Sequence, residues 1–387
     1  MSQAWRVLRA LDIRNDGTIL AEVTWDDPSP TSAGVPSGNV VGHVSLLAPE
    51  LEFRLRHPTD DIAKGWDYTG YNRWRVTSVG TGKTNNIIKV NIPAALDPNK
   101  FVVEVPPDSQ DLIEIISSTV VAPNRNSHPA VDGSILFEIR GKKATELSAG
   151  KPGAIVNLRA KDKPGTIQLI HVRVFDERPI KVDIFFVTNA SFSATVISSH
   201  PTADAIVAHL NTVYNPQANI TFSLGQTSDV HVGTGSASAP AAERVFESSG
   251  RLKVPDPIGH DWTNSSDTMS AAIAKVIAQA QLDHPRQTNT IRIFAVNSIL
   301  YVSGADSFTN KNGQNDRNFY CVVKAASGLS VYAHEVGHSL GLSHQTRNFP
   351  EEVAVGLMYP NVDGDAQLWL NQDDWVLANK TADAKYK

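Results

Sequence analysis

The residues with the most chemical content lie in SVYAHEVGHSLGLSH, positions 330–344. His334 and His338 are four apart, so on a helix they share one face with Cβ atoms roughly 5–6 Å from each other. Two imidazoles so placed suit adjacent corners of a zinc tetrahedron, at about 2.0–2.1 Å from the ion. Glu335 is offset by one position around the helix. Its carboxylate then reaches a water at the metal without ligating the metal, which is what a general base requires. Gly341, three beyond His338, lets the backbone turn sharply with φ > 0 and end the helix. His344 can swing back after that turn as a third ligand. Three protein ligands leave a fourth corner open, the catalytic arrangement and not the closed structural one. A bare HExxH is short enough to arise by accident, and the glycine and third histidine lift this segment above that.

A helix of this kind needs a sheet and other helices to hold it, and the second half of the chain carries their pattern. KVDIFFV (181–187) is a continuous apolar run, as a buried strand requires. PTADAIVAHLNTVYNP places Ile206, Leu210 and Val213 on one helical face, with Pro201 at its start and Pro216 beyond its end. ITFSL follows as a strand. Ser266 is expected to cap a second helix with Met269, Ile273, Val276, Ile277 and Ala280 on one face. IRIFAV (291–296) and FYCVV (319–323) are further strands. Strands alternating with helices predict an α/β (α+β) domain with a mixed twisted sheet, over residues 177–387.

Before that boundary the pattern is all-β. TILAEVTW (18–25), NRWRVTSV (72–79), NIIKVNI (86–92), SILFEIR (134–140) and TIQLIHVRVF (166–175) are rich in β-branched and aromatic residues, with turn residues between them. Two small domains are expected, 1–95 and a sandwich-like 96–176. Trp5, Trp25, Trp66 and Trp74 concentrate here; core packing is the ordinary role, an aromatic ligand platform the alternative.

Composition narrows the class of molecule. At 387 residues two or three domains are expected, and 41% apolar with 19% charged residues is a globular balance. A net charge of −5 without a polybasic run argues against nucleic acid or an anionic membrane as partner. The single cysteine, Cys321, rules out an internal disulfide and a cysteine-rich zinc module, and its apolar strand makes it a core residue. The N-terminal stretch has no long apolar segment of the Sec type. TIRIFAVNSILYV (290–302), interrupted by Arg292 and Asn297, falls short of the ~20 residues of a membrane span. A soluble protein is expected, secreted or delivered by a route without a Sec leader, with a cytoplasmic location left open.

Weaker candidates are each better explained by structure. VGTGKT (79–84) evokes a phosphate loop, but the first glycine of that motif would fall on Thr77, so a turn between strands is expected. Asp306, Asn310, Asn312 and Asp316 line a glycine-containing loop with oxygens suited to Ca²⁺, without EF-hand spacing. Asp229 and His231 read as an exposed strand end, with metal ligation the alternative. Residues 299–302 are expected to offer the sheet edge on which a peptide substrate pairs.

HEVGHSLGLSH matches the metzincin pattern H-E-x-x-H-x-x-G-x-x-H at every fixed position, and VGLMYP (355–360) resembles the Met-turn that follows it. Gly337 and Leu340 inside the motif, and Met358, Tyr359 and Pro360 after it, are most similar to the matrixins. LNQDDWVLANK (370–380) resembles their C-terminal helix, with Asp373 and Asp374 as its acidic pair. The resemblance implies a zinc-dependent endopeptidase acting on protein or peptide substrates. His334, His338 and His344 would hold the catalytic Zn²⁺, Glu335 would be the base, and Met358 an apolar floor; Ca²⁺ is a common addition in the family. It also implies a sheet with two long helices above the cleft and a small subdomain after Gly341.

The chain departs from that pattern in places. His344 and Met358 are 14 residues apart, so 345–353 form an extra loop near the primed side of the cleft. The one cysteine, Cys321, lies inside the expected catalytic domain, so no thiol-blocked latency is expected, and the first ~175 residues match no matrixin prodomain. They are expected to serve targeting, substrate binding or inhibition, and to be dispensable for cleaving small peptides. Two rival readings share the same residues: a delivered effector or toxin protease, and a silent binding protein on a metzincin scaffold. Intact Glu335 argues against the second.

Overall fold

The computed structural model describes most of residues 76–386 and three short strands before them; among the stretches not described are 124–132, 146–152, 190–196, 234–244, 304–306, 345–355 and 361–367. The four N-terminal tryptophans and the extra loop 345–353 lie outside the described residues. Strands β1 (Asp12–Ile13) and β2 (Ile19–Leu20) pair antiparallel, and β3 (Phe53–Leu55) joins a larger sheet.

The next strands are β4 (Val76–Gly80), β5 (Thr84–Ile92), β6 (Phe101–Glu104), β7 (Ile113–Val121), β8 (Gly133–Gly141), β9 (Ala154–Ala160) and β10 (Gln168–Phe175). They form two sheets, β4-β10-β9-β6 and β3-β5-β8-β7. Alternate residues turn inward: Ile135, Phe137 and Ile139 from one sheet, Ala154, Val156 and Leu158 from the other, closing one shared core. The expected boundary at 95/96 cuts through this pair of sheets. β5 pairs with β8 and β4 with β10, because the apolar faces of β4 and β5 find their cover only in strands beyond residue 100. The expected turn between β4 and β5 is present, with Gly82 at φ 73°.

The C-terminal region comprises β11 (Arg178–Thr188), α1 (Ala203–Ala218), β12 (Ile220–His231), β13 (Leu252–Pro255), α2 (Ala271–Asp283), β14 (Thr290–Val296), β15 (Ile299–Ser303), β16 (Ser307–Lys311), β17 (Gly313–Asn315), β18 (Tyr320–Lys324), α3 (Leu329–Ser339) and α4 (Gln372–Lys385). Its main sheet runs β12-β11-β14-β18-β17, parallel throughout except for the outer strand β17. β14 is buried along its whole length, because helices cover both faces of the sheet. α1, α3 and α4 pack on one face; α2 packs on the other with β13 and β15. No helix among the described residues is long and apolar enough to cross a membrane.

Three sequence expectations change here. α1 runs through Pro216 and stops at Asn219, which closes the helix in the left-handed region at φ 50° and returns its N–H to the Asn215 carbonyl. α2 starts after Ser270 and not Ser266, because Asp267 accepts the Met269 N–H at 2.9 Å and holds the preceding segment in turns. β15 has neighbours on both sides, β13 and β16, so 299–302 is no free edge.

The sandwich is docked on the end of α1. Ser78 Oγ donates to the Pro216 carbonyl at 2.8 Å, and Lys83 Nζ to Asn219 Oδ1 at 3.1 Å. The Asn219 side chain lies directly on Gly80, where a Cβ would come within 2.8 Å of it. Its amide donates to the Phe175 carbonyl at 2.8 Å.

Candidate metal centre

α3 buries Val331, Tyr332, Ala333 and Val336 against the sheet and α1. Its exit follows from Gly341 at φ 84°. The Leu342 N–H bonds the Gly337 carbonyl and the Gly341 N–H bonds the His338 carbonyl, the paired bonds of a Schellman stop. That reversal returns the chain toward the helix and brings His344 to the two helical histidines.

The three rings converge through Nε2. His344 Nε2 lies 3.2 Å from His334 Nε2 and 3.2 Å from His338 Nε2. The other nitrogens face carbonyls: His334 Nδ1 to Leu357 at 2.7 Å and His338 Nδ1 to Leu342 at 2.8 Å. A carbonyl only accepts, so each Nδ1 carries the hydrogen and each Nε2 of this pair presents a bare lone pair. Burial, then neighbouring His338, pushes His334 down to about 3, against an opposing pull from its Leu357 bond. Burial pushes His338 down to about 4, partly opposed by its Leu342 bond. Both are therefore neutral at pH 7. Two bare nitrogens that converge on a third imidazole nitrogen, each 3.2 Å from it, form a donor set that suits zinc. Among the described residues these are the histidine, cysteine or carboxylate side chains grouped to hold a metal, with ligand atoms within 4.8 Å of one another.

Glu335 is buried beside the cluster, and its side chain lies across Gly313 of β17. Along the chain after His344, Leu357 and Met358 are fully buried, Tyr359 is half-buried and Pro360 exposed. Gly337 lets Met358 and Tyr214 pack close against α3. A Cβ there would fall 2.6 Å from Met358 Sδ and 2.9 Å from the Tyr214 hydroxyl. That hydroxyl donates to the Ala333 carbonyl at 2.7 Å, tying α1 to the turn of α3 that carries His334.

Other candidates stay apart from this centre. His231 Nδ1 meets Thr188 Oγ1 at 2.7 Å on an exposed strand end, with Asp229 nearby on β12. Asp316 Oδ1 accepts the N–H groups of Asn318, Phe319 and Tyr320 at 2.7–3.0 Å, capping a turn. Asp306 lies outside the described residues. Cys321 is buried in β18, its thiol pushed up by burial, and receives a bond from Asn315 Nδ2 at 3.0 Å. Asn315 also donates to Ser339 Oγ at 2.7 Å, pinning β17 to α3. Sequence reasoning missed Tyr214, Gly313 and Asn315. Tyr214 carried a signal, since it follows Leu210 by four on a core face and a buried hydroxyl needs an acceptor. The other two act across strand pairing and carried none.

The matrixin family pattern matches residues 209–380, a span that includes the three histidines, Glu335 and Met358. No curated protein matches the chain. Among solved structures, the zebrafish RET cadherin-like domains 1 to 4 align at 11% identity over 34% of this chain. That alignment spans 31% of the RET chain at a TM-score of 0.18, too low to say anything about fold.

Proposed function

We propose that this protein, whose residues 209–380 match the matrixin pattern and bring three histidines together, is a zinc-dependent endopeptidase. The observation that carries the reading is the meeting of three imidazole nitrogens, two of them fixed as lone pairs by carbonyls, beside a buried carboxylate. His334, His338 and His344 would hold the ion. Zinc, when bound, supplies Lewis acidity, making water acidic near neutral pH and drawing charge from a scissile carbonyl.

The chain's own residues do the rest. Glu335 takes a proton from the attacking water on its carboxylate and passes it to the departing amine nitrogen. Leu357, Met358, Tyr359 and Pro360 act as the Met-turn, with Met358 an apolar floor and the Leu357 carbonyl fixing the His334 tautomer. The substrate pairs as an added strand on β17, the outer strand of the main sheet beside α3, in place of the 299–302 edge. Residues 177–387 form the catalytic domain, and the sandwich before it serves targeting or substrate binding. A silent scaffold has no use for a buried carboxylate next to a three-histidine cluster, which favours the peptidase reading. Elemental analysis of the purified protein is expected to give about one zinc per chain, and much less after His338→Ala. Near-zero zinc in the parent after refolding with excess metal contradicts the reading.

A further inference from the structure

Gly313 occupies β17, opposite Val323 of β18, where nothing in the local backbone demands glycine: its φ is not among the positive values. Its neighbour on the other side explains it. A Cβ built there would lie 2.4 Å from Glu335 Oε1, 2.7 Å from Cγ and 2.8 Å from Cδ, closer than real Cβ contacts come. The strand is tied down on both sides of this position. The Lys324 N–H holds the Asn312 carbonyl at 2.7 Å just before Gly313, and Asn315 is bonded to Ser339 of α3 at 2.7 Å just after it. α3 is equally fixed, through Tyr214 on the Ala333 carbonyl. The movable part of the contact is the Glu335 carboxylate.

We propose that Gly313 is a positioning residue for the base: its missing side chain is the space that sets where the Glu335 carboxylate sits. The proposal rests on the peptidase reading. It follows that a methyl group at this position spares the fold and displaces the carboxylate, so the loss falls on turnover. One strand thus sets both the edge offered to substrate and the site of the base, which fixes their mutual distance.

The test is a double-mutant cycle on the full-length zinc-loaded protein with a short peptide substrate. Gly313→Ala is expected to keep one zinc per chain and the parent's thermal midpoint, to leave KM within about twofold, and to lower kcat at least tenfold, below the 10²–10⁴-fold cost of removing a base altogether. In Glu335→Ala the Cγ, Cδ and Oε1 atoms that the added methyl would meet are gone, so adding Gly313→Ala to that chain is expected to change its residual kcat by less than twofold. Parent-like kcat in Gly313→Ala, or the same fold loss in both backgrounds, overturns the proposal. Should Gly313→Ala lose zinc or thermal stability together with activity, the double variant decides: recovery of both, with the residual activity of Glu335→Ala, supports the contact, and no recovery overturns the proposal. A parent that binds zinc and cleaves no peptide defeats the peptidase reading instead, a separate result seen before any variant is made.

Discussion

In the proposed mechanism the chemistry turns on Glu335. Its amide counterpart has nearly the same shape and still accepts a hydrogen bond, but takes no proton. Glu335→Gln is therefore expected to keep its zinc and fold while losing peptidase activity by about 10²–10⁴-fold or more, measured as kcat/KM on a short peptide. Unchanged turnover would assign the base to another group. At this scale the histidine cluster was readable in the sequence, because the His334–His338 spacing and the glycine stop are properties of one helix and its exit. The structure adds the carbonyls of Leu357 and Leu342 behind the rings. The first lies 23 residues from its histidine, beyond the reach of helical spacing.

Among the elements, α3 is held at close quarters by α1 and the chain around Met358, and Gly337 is where the three meet. Alanine at an interior helical glycine ordinarily gains about 1 kcal/mol of helix propensity. Here the added methyl would meet Met358 Sδ at 2.6 Å and the Tyr214 hydroxyl at 2.9 Å, and overpacking of this kind costs about 1–3 kcal/mol. The clash outweighs the propensity: Gly337→Ala is expected to lower the denaturant midpoint, and a raised midpoint would show that the floor gives way. The elements themselves were visible from apolar periodicity, but their ends were not. Pro216 reads as a terminator, yet it sits in the last turn of α1 while Asn219 makes the stop. Asp267 displaces the start of α2 through bonds that hydrophobic spacing does not record.

For the whole molecule, the question is how independent the two regions are. The sequence places a clean boundary near 177 and expects the chain beyond it to stand alone. Against this, Phe175 is buried in the core of the C-terminal region, and Ser78, Gly80 and Lys83 meet the end of α1. Burial of one large apolar side chain is worth about 1.5–3 kcal/mol and each hydrogen bond about 0.5–1.5 kcal/mol, a sizeable part of a stability of ~5–15 kcal/mol. A chain beginning at Glu177 is therefore expected to unfold at a clearly lower temperature than the full chain; equal thermal midpoints would show the sandwich to be a detachable module. The sequence could not reveal this docking, because Asn219 looks like any helix-terminating asparagine until Gly80 is found beneath it. The measurement that bears most directly on the proposed activity is incubation of the intact protein with a diverse peptide library, read by mass spectrometry, with chelator and after zinc is restored. Internal cleavage that chelator abolishes and zinc restores is the predicted result; a zinc-loaded protein that leaves the whole library intact would contradict it.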